Sequence, residues 1–543
     1  MDKQLGHENM NYKYMGMEQS SGHLYSKKFL ILFGTISGLL SCFVIYGNFL
    51  TNPDCMVYGG GLSLLQSGNW ERSLGRWMLP VLDWVRGGVA EPYFNAFLCA
   101  IGFSSAAVML QDILGPVKSK SVQLLGVLLT VCTPLLSITI TYTYCSAAYG
   151  LAFFLSVFAV WIVVNHNGKA SVIIGAICLS LSLAIYQSYI GATAAVAVEY
   201  LVFQLYRGEI IQKVWKKLCR MLVMGILGVG SYYFIALPAV LNFYQIELAS
   251  YKGADKISVA QIIRMLPQSV LTTYNDFWKF FGAHEIAANP LWISPVSILF
   301  ILFGLAVLIF GVCVKCKCCA EKILLVILTC SLPVAAGLID LLNPSTRIIL
   351  LTVGGFVTVI PFCFYLINDA VEQIQQCIGK DALKLVVPIL AGLLVWNSIL
   401  SISMDGMYMK QAKNRNIQIT NRICYFWEER ALSNTDVEQK VLIAGNPLQA
   451  NYKIQDPTLE SKVNQYAKWG DLWQVLENSM IGWSEMFKQY TGMTLNQCSL
   501  DKATEIVKSE EFKEMTNYPE EGSIKVIDGV LTIKMSSLEG WTY

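Results

Sequence analysis

The chain has 543 residues, of which 54% are hydrophobic and only 14% are charged, and its mean hydropathy is +0.48. Soluble globular proteins carry about 25% charged residues, so this composition excludes an ordinary soluble domain and indicates a membrane protein. The net charge of +2 lacks the basic excess that nucleic-acid-binding domains carry, which argues against nucleic acid as a partner.

A polar tail, residues 1–28, precedes the first apolar run and is expected to be cytoplasmic. The run Phe29–Leu50 is long enough for a bilayer-crossing helix, which takes about 20 apolar residues. A cleaved signal peptide is a poor alternative, because the polar tail precedes the run and no small-residue cleavage pattern ends it. The run is therefore predicted to be an uncleaved membrane span.

The loop that follows, Thr51–Glu91, combines a carboxylate with an arginine. Asp54 lies just beyond the first span, and Arg76 follows a glycine-rich bend, Gly59–Gly61. A carboxylate can remove a proton from an acceptor hydroxyl, and a guanidinium offers paired donors to a phosphate. We expect Asp54 to act as a base and Arg76 to bind a donor phosphate. The structural alternatives are a turn or helix cap for the acid and contact with lipid headgroups for the arginine.

Further side chains of the same loop are candidates for substrate contact. Glu71 is a second possible catalytic carboxylate, and Tyr58, Trp70 and Trp77 are aromatic residues that can stack on a sugar ring. The triple glycine does not predict a nucleotide phosphate loop, because no strand-helix pattern surrounds it.

The remaining apolar runs predict a multi-pass protein of about eleven spans. One long run must be split by a tight polar turn at Tyr186 to Ser188 to keep each helix at membrane length. On this topology the short lysine-rich loops are inside, as the positive-inside rule requires, while residues 243–290 and everything after Ser403 are outside. The predicted spans are Phe29–Leu50, Tyr93–Leu114, Leu124–Thr141, Ala147–Val164, Val172–Ile185, Tyr189–Tyr206, Leu218–Asn242, Leu291–Val314, Ile323–Leu342, Ile348–Ile367 and Leu385–Ser403.

Four charged residues beyond the first loop could serve function. Asp276, in the second outer loop, and Asp340 are candidate substrate-binding acids, and Arg347 is a second candidate for the donor phosphate. A mutual salt bridge is the alternative for Asp340 and Arg347. Glu199 falls within a span, where an ionisable group is costly; it marks either a functional site, a proton route included, or a hydrogen-bonded carboxyl that faces other helices.

Residues 404–543 are more polar and predict a small outer α/β domain. Lys440–Ala444 reads as a buried strand, and Asp471–Tyr490 has helical spacing. Asp528-Gly529 between two β-rich arms predicts a tight hairpin. Most of the sixteen cysteines resemble small hydrophobic residues, although Cys424 and Cys498 could pair on the outside.

The order of a short tail, a first helix and an outer loop with an acid and a Trp…Gly-Arg-Trp element resembles a known family. The chain is similar here to the Gtr-type glucosyltransferases of the multi-span GT-C class, which decorate bacterial surface polysaccharides. The likeness is sharpest over Asn52–Trp77. Many relatives carry a doubled acid in this loop, whereas Cys55 follows Asp54 here, so a paired-carboxylate mechanism would have to recruit Glu71 or another acid.

The resemblance implies a polyprenyl-phosphate hexose, glucose first among them, as the donor and a surface glycan as the acceptor. It also implies an essential acid in the first outer loop, and Asp54 matches that position. No cofactor is expected, and a divalent metal is optional because arginine can stabilise the leaving phosphate. Membrane lipid, a donor-synthesising glycosyltransferase and a flippase are the further partners implied.

The predicted fold class is mainly α: a GT-C-like helical membrane bundle, residues 29–403, with the small α/β domain outside the bacterial cytoplasmic membrane. A transporter or flippase for lipid-linked sugars is the main alternative, and it would predict inverted repeats, which the sequence does not show. A non-catalytic envelope assembly or sensor protein is a third interpretation. Replacing Asp54 by Asn would separate these possibilities, since loss of surface sugar supports an enzyme.

Overall fold

A computed structural model describes most of the chain. The described residues are 24–52, 68–89, 91–115, 117, 119–249, 259–288, 294–316, 318–342, 348–378, 382–432, 440–446, 462–468 and 475–542. As predicted, the described part is mainly helical, with a small mixed sheet near the C-terminus.

The first half of the bundle consists of apolar helices joined by short connections. A turn of 3₁₀ helix, Gln187–Tyr189, separates two of them at the point where the sequence predicts a break. A π-helical turn, Ser231–Ala236, interrupts a longer run just before Pro238, whose missing N–H cannot continue the regular hydrogen-bond ladder. The helices are α1 Lys27–Gly47, α2 Asn69–Ser73, α3 Met78–Val85, α4 Pro92–Leu114, α5 Lys120–Val131, α6 Pro134–Thr141, α7 Ser146–Asn165, α8 Lys169–Ile185, α9 Ile190–Tyr206, α10 Ile211–Gly230 and α11 Leu237–Tyr244.

The second half adds one amphipathic helix, four further long apolar helices and a short connector. The amphipathic helix exposes Ile263, Leu271 and Trp278 on one face, as a helix at the membrane interface does. These helices are α12 Val259–Phe281, α13 Ser294–Val314, α14 Cys319–Ala336, α15 Leu338–Leu342, α16 Gly354–Ile378 and α17 Ala382–Leu432.

The predicted spans correspond to helices of the structure. Among the described residues, nine helices are long and apolar enough to cross a membrane. A tenth span, predicted as Leu124–Thr141, is the pair α5 and α6, which is bent by 43° at the break before Pro134. The eleventh, Val172–Ile185, lies in α8, which is apolar but has 17 residues and is shorter than the other spans.

Charged side chains gather at one end of the bundle, which we call the basic end. Lys27 at the start of α1 pairs with Asp112 near the end of α4. Arg207 after α9 pairs with Asp369 of α16 at 2.6 Å. Lys217 of α10 donates to main-chain carbonyl oxygens at the end of α7. The opposite end, which we call the site end, carries α2, α3, the start of α7 and the C-terminal region.

Helices α4 and α7 approach each other closely because glycines face each other. A Cβ atom on Gly102 would lie 2.4 Å from the carbonyl oxygen of Gly150, and one on Gly150 would lie 2.6 Å from the Cα of Cys99. Small residues at such a contact let backbones approach within a membrane, where packing rather than the hydrophobic effect drives helix association. This contact holds the two helices that lead to the site end.

Helix α17 runs without a break from the bundle into the C-terminal region. Its 51 residues span about 76 Å at 1.5 Å per residue, whereas the hydrocarbon core is about 30 Å thick. The predicted span Leu385–Ser403 occupies its first part, and the helix then continues through Ser403 to Leu432. The side chains of Asp405, Asn416 and Thr420 are buried in this continuation.

The C-terminal region contains a three-stranded sheet in the order β1-β3-β2. The strands are β1 Lys440–Ala444, β2 Ile524–Ile527 and β3 Val530–Lys534, and α18 Leu476–Thr491, α19 Leu500–Lys508 and α20 Glu510–Lys513 pack beside them. The β2-β3 hairpin confirms the prediction from Asp528-Gly529, since both residues adopt the positive φ of a tight turn.

The sheet is buried on both faces. Alternate residues Val441 and Ile443 of β1 join the core that continues from the bundle, while Leu442 and Ala444 join a second core with the C-terminal helices. This alternation follows the two-residue period of a strand. The disulfide considered from the sequence is absent, because Cys424 on α17 contacts the sulfur of Met493 and both Cys424 and Cys498 are free thiols.

Candidate active site

Arg76 lies in the short connection between α2 and α3 at the site end. The connection turns at Gly75, whose φ is +80°. A Cβ atom on Gly75 would lie 2.5 Å from the Tyr232 hydroxyl and 2.9 Å from Nε2 of Gln187, so glycine is required by both conformation and space. Gln187 donates to the Leu74 carbonyl at 2.7 Å, and Tyr232 donates to the Gly75 carbonyl at 3.0 Å. These bonds fix the backbone on which Arg76 stands.

The guanidinium of Arg76 is surrounded by tyrosine side chains. Its Nη1 lies 3.5 Å from the Tyr149 hydroxyl, and its Cζ lies 5.0 Å from the centroid of the Tyr186 ring. The two rings stack with their centroids 4.6 Å apart. A ring face attracts a cation and replaces part of its lost hydration. The sequence did not predict these tyrosines as site residues, although Tyr186 belongs to the polar turn it identified.

Arg76 differs from the neighbouring Arg86 in its partners. Arg86 pairs with Asp83 and donates to the Tyr144 carbonyl oxygen at 2.5 Å. In the part of the chain that the structure describes, no carboxylate forms an ion pair with Arg76, and its buried Nε has no hydrogen-bond partner. A buried cation without an anion is costly. The arrangement therefore suits an anionic group brought by a ligand.

The other predicted side chains of α2 and of this connection have different surroundings. The Glu71 carboxylate is buried and accepts the Gly68 N–H at 2.9 Å, so it caps the start of α2. Trp70 is 44% exposed. The Trp77 indole Nε1 is buried without a hydrogen-bond partner among the described residues. Of these three, Trp77 is next to Arg76 in sequence, and no described residue accepts a hydrogen bond from its indole N–H.

Three predicted site residues, Asp54, Tyr58 and Arg347, lie outside the described residues. The structure does fix the start of the loop that carries Asp54. The Asn52 N–H donates to the Thr141 carbonyl oxygen at 3.2 Å, and Asn52 is 1% exposed. Thr141 ends α6 and precedes the Tyr142 to Tyr149 segment that contributes to the surroundings of Arg76. Asn52, the last described residue before this loop, therefore lies at the site end.

Asp340 and Asp276 act on each other electrostatically. Asp340 lies in α15, beyond the end of the α14 span, and neither of its carboxyl oxygens has a hydrogen-bond partner among the described residues. Burial, and then the negative charge of Asp276, raises the pKa of Asp340 from 3.8 to about 7. A carboxyl group with a pKa near neutrality can both accept and release a proton at physiological pH.

A mostly apolar cavity of about 110 Å³ opens at the bend between α5 and α6. Its walls come from that bend, from the end of α12, and from α16 and α17. Polar side chains are few and include His284, Asn397 and Ser401. His284 has a φ of +55°, which is rare for a residue other than glycine, so the chain after α12 is held in a specific conformation.

The surroundings of Glu199, and the search for side chains that could bind a metal ion, concern other parts of the described chain. The Glu199 side chain is fully buried in α9, and the Thr358 hydroxyl donates to its Oε1 at 2.8 Å. Among the described residues, no group of three or more His, Cys, Asp or Glu side chains could hold a metal ion.

Comparison with known protein families decides the class. The family model described as Glucosyl transferase GtrII matches residues 62–366, which is more than half of the chain. The chain belongs to the GtrII glucosyltransferase family. The resemblance inferred from Asn52–Trp77 is thereby confirmed, and family membership makes this multi-pass membrane protein a glycosyltransferase. Searches of curated proteins and of solved structures gave no match.

The matched region of this GtrII-family protein contains most of the candidate site. Arg76, Asp276, Asp340 and Arg347 lie within it, whereas Asp54 precedes its first residue. The C-terminal region also lies beyond the match.

Proposed function

We propose that the protein transfers glucose from a polyprenyl-phosphate donor to a surface glycan on the outer face of the bacterial cytoplasmic membrane. The observation that carries this proposal is the buried guanidinium of Arg76, which has no carboxylate partner among the described residues and lies at the end of a membrane bundle. In a family of glucosyltransferases, a donor that is both lipid-linked and phosphorylated fits this arrangement. No nucleotide is needed outside the cell.

The transfer would be a single inverting displacement. Asp54 takes the proton from the acceptor hydroxyl, and the hydroxyl oxygen attacks the anomeric carbon. The bond between that carbon and the phosphate oxygen breaks, its electron pair stays on the phosphate, and Arg76 stabilises the added charge. Arg347 is proposed as a second phosphate-binding group. Trp77 and Tyr58 are proposed to contact the donor sugar.

The acids of the second half and the remaining loop residues would bind substrate. Asp340 and Asp276 are proposed to accept hydrogen bonds from sugar hydroxyls, since the carboxyl oxygens of Asp340 have no hydrogen-bond partner among the described residues. Trp70 is exposed enough to meet the acceptor. Glu71, which caps α2, is proposed to support catalysis from beside Arg76. The donor would come from a cytoplasmic glycosyltransferase and a flippase, and the lipid tail would lie among the membrane helices.

Transfer of labelled glucose from polyprenyl-phosphate glucose by purified protein in lipid nanodiscs tests the proposal. We expect Asp54→Asn to abolish transfer and Arg76→Gln to lower kcat by about 10²–10³-fold, the loss typical of removing one transition-state donor. Arg72→Gln is the matched control, because Arg72 lies in α2, four residues before Arg76, and its guanidinium is over the Tyr244 ring, 4.0 Å from the ring centroid. It should keep nearly full activity.

Three outcomes would each contradict part of the proposal. Wild-type protein that uses a nucleotide sugar and ignores the lipid-linked sugar would exclude the donor class. Unchanged surface decoration in cells with Asp54→Asn, at normal protein level, would exclude Asp54 as the base. If Arg72→Gln were as inactive as Arg76→Gln, a general disturbance of residues 69–77, rather than loss of the Arg76 guanidinium, would account for the lost activity.

A further inference from the structure

A short piece of the C-terminal region, residues 462–468, lies against the bundle beside the apolar cavity. It contains Asn464, which is 2% exposed, and Tyr466, which is 8% exposed. The Tyr466 hydroxyl lies 2.7 Å from the Ser137 hydroxyl of α6. Pro134 and Leu135 of the same helix line the cavity. This piece is therefore anchored to a cavity wall.

The main anchor joins Asn464 to Asp405 of α17. The Asn464 main-chain N–H donates to Oδ1 of Asp405 at 2.8 Å, and its side-chain Nδ2 donates to Oδ2 at 2.7 Å. Nδ2 also donates to the Ser401 hydroxyl at 3.1 Å. The two side chains are almost fully buried. We call this pair the Asp405–Asn464 latch.

The latch also reaches the segment that carries His284. Oδ1 of Asn464 accepts the Ala288 N–H at 2.7 Å, and the Ser401 hydroxyl donates to the Ala288 carbonyl oxygen at 3.2 Å. Ala288, Ser401 and His284 all line the cavity. Asn464 thus binds Asp405 on one side and the end of residues 282–288 on the other. All of its side-chain hydrogen-bonding groups are used in doing so.

We propose that this mostly apolar cavity receives the lipid part of the donor, and that Asp405 and Asn464 are positioning residues through which the C-terminal region holds the His284 segment in the cavity wall. The proposal rests on the proposed transferase function. It assigns a role to residues beyond the family match. A carboxylate that accepts two aligned N–H donors defines one geometry, and its loss would free the segment without removing a group that contacts the reacting atoms.

Exchange of the two side chains tests the latch. Asp405→Asn removes one acceptor, and Asn464→Asp places two carboxylates side by side, so each single variant should raise the donor KM about tenfold, as expected for one lost charged hydrogen bond. The double variant D405N/N464D restores a complementary donor and acceptor, and it should bring KM back towards the wild-type value. The kcat should change much less than KM in all three. Gln465→Glu makes the same amide-to-carboxylate change on the exposed neighbour and should behave as wild type.

Hydrogen-deuterium exchange of the same proteins gives a readout that does not depend on activity. The single variants should speed exchange at residues 284–288 and 462–468, and the double variant should slow it again. If wild-type protein transfers no sugar, the proposed function fails while the exchange data still judge the latch. Unchanged KM and unchanged exchange in both single variants would overturn the proposal, as would a double variant no better than the worse single variant.

Discussion

At the scale of single residues, the site end combines charged groups with unusually few partners. Arg76 has tyrosines around it and no paired carboxylate among the described residues. Within the same described part of the chain, neither carboxyl oxygen of Asp340 has a hydrogen-bond donor. Buried polar or charged groups without partners cost stability and are found where a ligand or a proton completes the arrangement. The neighbouring Arg86 forms an ion pair with Asp83, so the same fold provides a carboxylate partner for one arginine and, among the described residues, none for the other.

Asp340 should make the free energy of unfolding depend on pH. Its pKa is raised from 3.8 to about 7 by burial and then by Asp276, so between these values the folded state holds a proton that the unfolded state has released. The free energy of unfolding therefore falls as pH rises through this range and is flat above it. We expect Asp340→Asn to be more stable than wild type at pH 8 and to lose part of this slope. Thermal unfolding of both proteins from pH 5 to pH 8 measures this dependence of stability on pH.

The control for this measurement is Asp501→Asn, since Asp501 is exposed on α19. It should follow the wild-type pH profile. If stability depended on pH in the same way in Asp340→Asn and in wild type, Asp340 would have the same pKa in the folded and unfolded states.

At the scale of elements, the sequence predicted the helices well and their interruptions only in part. Apolar runs of membrane length located the spans, and Pro134 was a visible signal for the bend between α5 and α6, which was nevertheless predicted as one span. The continuation of α17 past Ser403 was not predicted, because the residues there become polar without a proline or glycine run that would end a helix. The polar residues after Ser403 indicated a new domain, but they also favour helix, so α17 continues through them to Leu432.

The contact between α4 and α7 should not tolerate even one added methyl group. In Gly102→Ala the new Cβ would meet the Gly150 carbonyl oxygen at 2.4 Å, and backbone cannot move aside as a flexible side chain can. We expect a loss of about 1–3 kcal/mol in stability, which is typical of overpacking. Gly225→Ala on α10 is the matched control, since nothing lies within 4 Å of its added Cβ. It should be equal to wild type or slightly more stable, because alanine favours helix.

Thermal unfolding of the detergent-solubilised proteins compares the two substitutions. Gly102→Ala should unfold at a lower temperature than both wild type and Gly225→Ala. Equal unfolding temperatures for all three proteins would mean that α4 and α7 can move apart to accept the added methyl group without loss of stability.

At the scale of the whole molecule, the sequence predicted only those parts of the site whose residues lie close together along the chain. Arg76 was identified from its own loop, but Tyr149 is 73 residues away and only the folded bundle brings it to the guanidinium. The latch likewise joins Asp405 and Asn464 across 59 residues. Neither pair has a local sequence signature, because the contact depends on helix packing. The place of His284 in the cavity wall likewise depends on the packing of helices that are distant in sequence.

The two ends of the bundle should face opposite sides of the membrane. The basic end holds the lysines and arginines that the positive-inside rule places in the cytoplasm, and the site end holds the C-terminal region. Alkaline phosphatase fused after Tyr543 should therefore be active, and the same enzyme inserted at Asn167, between α7 and α8, should be inactive. A fluorescent protein at the two positions serves as the control and should give the opposite pattern. An active phosphatase at Asn167 would invert the topology and place Arg76 in the cytoplasm.

Helix α17 has a mechanical consequence. Because it is continuous from Ala382 to Leu432, the part that holds Asp405 cannot move independently of the part seated among lipid tails. Membrane proteins respond to hydrophobic mismatch by tilting their helices when bilayer thickness changes. A tilt of α17 would carry the Asp405–Asn464 latch with it and shift the cavity wall. The acyl-chain length of the surrounding lipid is therefore a variable that this transferase would sense.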